Sequence, residues 1–182
     1  MHWMASRRHA LASVSAVALL TVALLSGCVG EPAVPLDVPA RQPGQALFDE
    51  AGILDADNAS LVAALEALQA QGWDVALVTF ESVDANLGMA DRAGRKVIDA
   101  WGVDLALVAV AAPGDFASTS STRRRYFGLT ARTIRSVSPS LRERIAEELV
   151  PRLAAKNQWT QAFTLALTEL AQAERPATEA TS

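Results

Sequence analysis

Two runs near the middle of the chain are apolar at almost every residue. Asp74 to Phe80, through ValAlaLeuValThrPhe, and Leu105 to Ala112 show no polar face. Each therefore predicts a strand buried on both sides within a sheet. Around them the spacing changes to three and four. Leu61, Leu65 and Leu68, beside Val62, predict a helix over about 57–70, with Asp55 or Asp57 as cap and Gly72 as stop. Leu87, Ala90, Gly94, Val97, Ile98 and Trp101 predict a second helix over 86–101, ended by Gly102. Ala46–Ile53 reads as a short strand or extended segment. Phe116–Thr122 reads as an exposed loop, and Arg124–Thr130 as a strand at the core's edge. Ser138-Pro139 starts a third helix carrying Leu141, Ile145, Leu149 and Leu153. A fourth spans about 158–173 on Trp159, Phe163, Leu167 and Leu170, and the residues after Glu174 read as a frayed tail. Strands alternating with helices predict one small α/β domain over 47–173. Its central sheet is mixed but mostly parallel, of about four strands, with helices on both faces.

The first residues follow a different pattern. Arg7 and Arg8 precede Ala10–Leu25, sixteen residues without a charge. That length is short of the ~20 residues a membrane-spanning helix needs, and suits the apolar core of a signal peptide. The run ends in Leu25-Ser26-Gly27-Cys28, which resembles the bacterial lipobox. The resemblance implies removal of residues 1–27 and a diacylglyceryl group on the Cys28 thiol, hence palmitate-type chains and a place on the extracytoplasmic face of the cell membrane. Two acyl chains hold a protein at a bilayer where one would not. Pro32, Pro35, Pro39 and Pro43 then predict that residues 28–46 are the lipidated Cys and an extended linker. At ~3.1 Å per residue it would lift the domain roughly 50 Å.

Composition narrows the chemistry. Hydrophobic residues make up 51% of the 182, enough for a real core, and the net charge is −4. Loss of Arg7 and Arg8 from the 16 basic residues leaves 14 against 20 acidic ones, so the processed chain carries −6. An acidic domain has no general electrostatic attraction for nucleic acid. Cys28 is the only cysteine, so the domain holds no internal disulfide. His2 and His9, the only histidines, lie in the signal peptide. Serine or cysteine nucleophiles activated by histidine are thereby excluded from the processed chain, as is a His/Cys zinc site. A metal there would be a hard cation on oxygen ligands, such as Ca²⁺.

Four stretches share an order with a known family. Phe48-Asp49-Glu50-Ala51-Gly52-Ile53-Leu54, Trp73–Phe80, Ala100-Trp101-Gly102-Val103, and Val150-Pro151 followed by Trp159 resemble the TPM domain over about residues 47–171. That domain occurs in thylakoid-lumen, bacterial membrane-anchored and animal receptor-associated proteins. The resemblance implies an α/β fold, and some relatives are associated with acid phosphatase activity and calcium. The family's glycine- and lysine-rich loop is absent, because only Asp104 separates Val103 from Leu105. Its Gly-Tyr-Gly signature is reduced to Tyr126-Phe127-Gly128.

The candidate metal ligands are Asp49, from the family motif, and Asp104, provided the two converge at the sheet ends. Asp55 and Asp57 serve better as helix caps. Arg123 and Arg125 are the candidate anion-binding pair of the Arg123-Arg124-Arg125 run, since alternate side chains on a strand share a face. Trp101 and Trp159 belong to the core, and Tyr126 to a half-buried strand. The expectation is a membrane-tethered, non-catalytic module that binds or supports a membrane or cell-wall protein, or a structural lipoprotein without a ligand. The alternative is a Ca²⁺- or Mg²⁺-dependent phosphatase. Intact-mass measurement on protein from its native membrane should find Cys28 as first residue, carrying the diacylglyceryl adduct, and Cys28→Ala should abolish that adduct. A full-length, unacylated chain would contradict the lipobox reading.

Overall fold

In the computed structural model, residues 33–133 and 136–173 are described. The signal peptide, Cys28 and the tail over 174–182 lie outside them. One four-stranded sheet forms the centre, in the spatial order β1 (Leu47–Asp49), β2 (Val75–Glu81), β3 (Leu105–Ala111), β4 (Arg125–Ala131). The first three strands are parallel and β4 runs antiparallel to β3. The sheet is thus mixed and mostly parallel, as the alternation of elements predicts.

Every residue of β3, and all but the last of β2, is buried. Their alternate side chains feed two cores. Val75, Leu77, Leu105 and Leu107 face α1 (Ala59–Ala70) and α5 (Trp159–Gln172), while Ala76, Val78, Phe80 and Val108 face α2 (Leu87–Trp101). Helices therefore cover both faces. Asn86 caps α2 by accepting from the Met89 N–H at 2.9 Å, and Gly102 ends it in the left-handed conformation, φ 73°. Helix α1 begins later than its leucine spacing suggests, at Asn58, and neither Asp55 nor Asp57 caps it. The Asp55 N–H is instead bonded to the buried Thr160 hydroxyl at 2.8 Å.

The third helix is not continuous. Ser138 caps α3 (Pro139–Glu143) through the Leu141 N–H, but a π-helical segment over Arg144–Leu149 intervenes before α4 (Val150–Ala154). Pro151 explains the break. It has no N–H to return to the preceding turn and its ring needs room there, which the wider π turn provides. The Phe116–Thr122 loop is exposed as its Ser/Thr content suggests, except at Phe116 and the half-buried Ser118. Phe116 is buried edge-on against Trp159, centroids 5.1 Å apart.

The largest correction concerns the proline-rich stretch. From Val34 onward it lies on the domain instead of projecting from it. Leu36 is 1% exposed, with Val34 and Val38 beside it on the α2 core. The Lys96 ammonium donates to the Leu36 carbonyl, and the Trp101 indole donates to the Pro39 carbonyl at 2.8 Å. Arg41 grips Asp74 with two bonds of 2.6 and 2.7 Å and stands over the Trp101 ring. Hydrogen bonding to Asp74 raises the Arg41 pKa further, although partial burial opposes it. Both partners retain solvent exposure, so the ion pair is worth at most about 1 kcal/mol. Leu36 carries more. Leu36→Ala should cost roughly 2–4 kcal/mol in denaturant unfolding, whereas a free spacer would lose nothing.

Candidate functional site

Sites in parallel sheets gather at the carboxyl ends of the strands, and β1 ends there with Asp49. Its carboxylate accepts the N–H groups of Ile53 at 3.2 Å and Leu54 at 3.0 Å, and the hydroxyl of Thr79, its partner in register on β2. The same hydroxyl oxygen accepts the Ala51 N–H at 3.4 Å. Between them Gly52 turns the chain at φ 64°, a conformation that side chains disfavour. The Asp-x-Ala-Gly motif thus has a mechanical role, as a clamp that folds the β1–α1 connection back onto β2. Nearby carboxylates are engaged in the same way. Glu81 accepts the Gly114 N–H at 2.8 Å, and Asp115 the Arg124 N–H at 2.7 Å.

Asp104 stands at the other end of the sheet. It precedes β3 and accepts the Asp74 N–H at 3.0 Å. Asp49 lies level with Thr79 and Ala109, five residues further along β3, which is roughly 16 Å at the rise of a strand. The convergence needed for a shared metal site is not found. Among the described residues, no three His, Cys, Asp or Glu side chains gather into a cluster that could hold an ion.

Arg123 and Arg125 do come together, facing α4 and α5, while Arg124 reaches the other way to the Val83 carbonyl at 3.1 Å. Arg123 donates to the carbonyls of Ser120 and Ala155 at 2.9 and 3.1 Å. Arg125 donates to the Phe116 carbonyl and to the Asn157 side chain, with its guanidinium over Trp159. Burial, then the neighbouring Arg123 charge, lowers the Arg125 pKa from its ordinary value. Asn157 completes the join. It adopts φ 59° in the turn before α5 and donates to the Ala117 carbonyl at 3.1 Å. The pair therefore ties the β3–β4 connection to the α4–α5 turn.

A concavity lies elsewhere, along the open edge of β4. A cleft of about 860 Å³ runs between α2 and the α3–π segment. Leu87, Asp91 and Arg95 form one wall, and Pro139, Arg142, Glu143, Ala146 and Glu147 the other. A second cleft of about 320 Å³ shares Leu87, Phe127 and Ala146 with it and reaches Arg123, Arg125 and Trp159. The two form one trough along the whole strand. Two glycines bring α2 this close. A Cβ on Gly128 would lie 3.0 Å from the Ala90 backbone, and one on Gly94 would lie 2.3 Å from the Thr130 hydroxyl. Leu87 is 57% exposed at the rim. Asp91, Arg95, Arg142, Glu143 and Glu147 have no side-chain ion pair or hydrogen bond among the described residues. No sequence signal marks this trough, because its wall residues stand one helical turn apart among ordinary surface positions.

The model of the TPM domain family matches residues 47–173. Among solved structures, the chain is similar to the N-terminal domain of the cg2496 protein from Corynebacterium glutamicum, determined in solution by NMR. That match has a TM-score of 0.51 and 14% identity, covering 77% of this chain and 86% of the other. No curated protein matches the sequence. If Asp49 is a clamp, Asp49→Ala should lower stability by about 1–3 kcal/mol, the cost of leaving amides unpaired. Added Ca²⁺ should leave the wild-type melting midpoint unmoved. A calcium-dependent rise that Asp49→Ala removes would assign the residue to a metal instead.

Proposed function

The chain belongs to the TPM domain family, and on that footing we propose that it is a non-catalytic binding module tethered to the cell membrane through a lipid on Cys28. What supports the binding reading is the contrast between the two ends of the chemistry. The carboxylates of Asp49, Glu81 and Asp115 are already occupied by backbone N–H groups, whereas the β4 trough presents an exposed leucine and five charged side chains without partners among the described residues. Polar groups that are satisfied internally hold a fold together, while exposed and uncommitted ones are available to a second molecule.

The tether follows from the apolar run and lipobox before Cys28. No helix among the described residues is long and apolar enough to cross a membrane, so the lipid supplies the attachment in this reading. Only five peptide steps separate Cys28 from Ala33, where the described domain begins. Such a segment reaches at most about 18 Å. In this reading the partner is a membrane or cell-wall protein of the envelope.

The competing phosphatase chemistry is tested directly. The protein lacking residues 1–27, assayed with a generic phosphomonoester with and without Ca²⁺ or Mg²⁺, should show no turnover above the buffer rate. Metal-dependent turnover that Asp49→Asn abolishes would contradict the binding reading.

A further inference from the structure

We propose that the β4 trough receives an extended segment of a partner protein as a fifth strand of the sheet. This inference rests on the reading of the domain as a binding module and names what it binds. The backbone supplies the first argument. Bonds from the Ala112 N–H to the Arg124 carbonyl and from the Arg132 N–H to the Asp104 carbonyl set the antiparallel ladder. With that phase, Tyr126, Gly128 and Thr130 direct their N–H and C=O groups at β3. Phe127, Leu129 and Ala131 direct theirs away from it, into the trough. None of these outward groups has a hydrogen-bond partner among the described residues. A row of alternating donors and acceptors on a strand edge is matched by another extended polypeptide, and by little else.

The walls supply the second argument. Leu87, Asp91 and Arg95 follow each other by four residues, about 6 Å per step along a helix. Alternate side chains of an added strand recur at about 6.7 Å. The two repeats nearly coincide, so an added strand would present one side chain to each wall residue in turn. Contacts of α2 on Gly128 and of Gly94 on Thr130 show that α2 runs in the same direction as β4. A segment lying antiparallel to β4 therefore meets Arg95 first, Asp91 next and Leu87 last. The complementary sequence reads acidic, basic, apolar at every second residue on the side facing α2, while the residues between them face Arg142, Glu143 and Glu147 on the opposite wall.

A second copy of this chain suits the trough less well. Two β4 strands paired antiparallel about their centres would place each α2 beside the other, setting Asp91 against Asp91. Like charges in that position oppose association.

The probe is the blocked peptide acetyl-Val-Glu-Thr-Lys-Val-Ile-Thr-amide, titrated into isotope-labelled processed, lipidated protein in detergent, with a scrambled peptide as control. The amide signals of Phe127, Leu129 and Ala131 should shift and become protected from exchange. Arg95→Glu should weaken binding roughly tenfold, the effect of reversing one exposed charge pair, and a peptide with Lys in place of its Glu should restore it. Absence of shifts at these three amides, or indifference to the charge swap, would overturn the proposal. So would protection already present in the peptide-free protein together with a dimer's mass, which would assign the edge to a second copy. A photo-crosslinker at Leu87 in intact membranes separates this failure from that of the binding reading. A crosslinked partner without protection of the β4 amides would overturn strand addition and leave the binding module standing. No crosslinked partner and no peptide binding would overturn both.

Discussion

A strand inside a sheet has its backbone groups satisfied on both sides, and a strand at the edge has one side unsatisfied. The arrangement of this domain follows from where that unsatisfied side falls. The two strands that lack a polar face, β2 and β3, take the centre because only the centre buries both of their surfaces. One edge goes to β1, which is three residues long and exposes little backbone. The other goes to β4, seven residues long, after which the chain leaves the sheet for its last helices. Helices on both faces then turn that edge into the floor of a trough. Strand addition there would satisfy the outward groups that β3 leaves unpaired.

The same accounting explains the family motif. Asp49, Thr79 and Gly52 hold the first turn against the sheet with four hydrogen bonds, three of them to main-chain N–H groups. A carboxylate committed in this way is costly to free, since each amide would lose a charged acceptor. The arginine pair at the start of β4 is committed too, to carbonyls and to the Asn157 side chain. Residues that look reactive in the sequence are thus spent on holding the connections, and the uncommitted chemistry lies on α2 and the α3–π segment.

Much of the fold was legible in the sequence. Continuous apolar runs located β2 and β3, and the three- and four-residue spacing with Gly102 bounded α2. The proline-rich stretch was misleading because proline spacing predicts an extended chain but not what that chain touches. Val34, Leu36 and Val38 are apolar at every second position, which is the signature of an extended segment lying on a core, and that signal was available. Asp49 could be picked out from its motif, but its partner Thr79 is thirty residues away and only the strand register joins them. Asp104 is remote from Asp49 because it precedes its strand while Asp49 ends one, and in parallel strands those positions lie at opposite ends of the sheet. The trough itself was not legible. Its floor is main chain, which carries no residue signature, and its walls come together only once Gly94 and Gly128 let α2 approach β4.

Hydrogen exchange at the β4 edge, compared between protein in its native membrane and protein isolated in detergent, tests the central claim most directly. The account predicts slow exchange at the Phe127, Leu129 and Ala131 amides in the membrane and fast exchange after isolation, with Tyr126, Gly128 and Thr130 slow in both. Equally fast exchange of the outward amides in both states would contradict it.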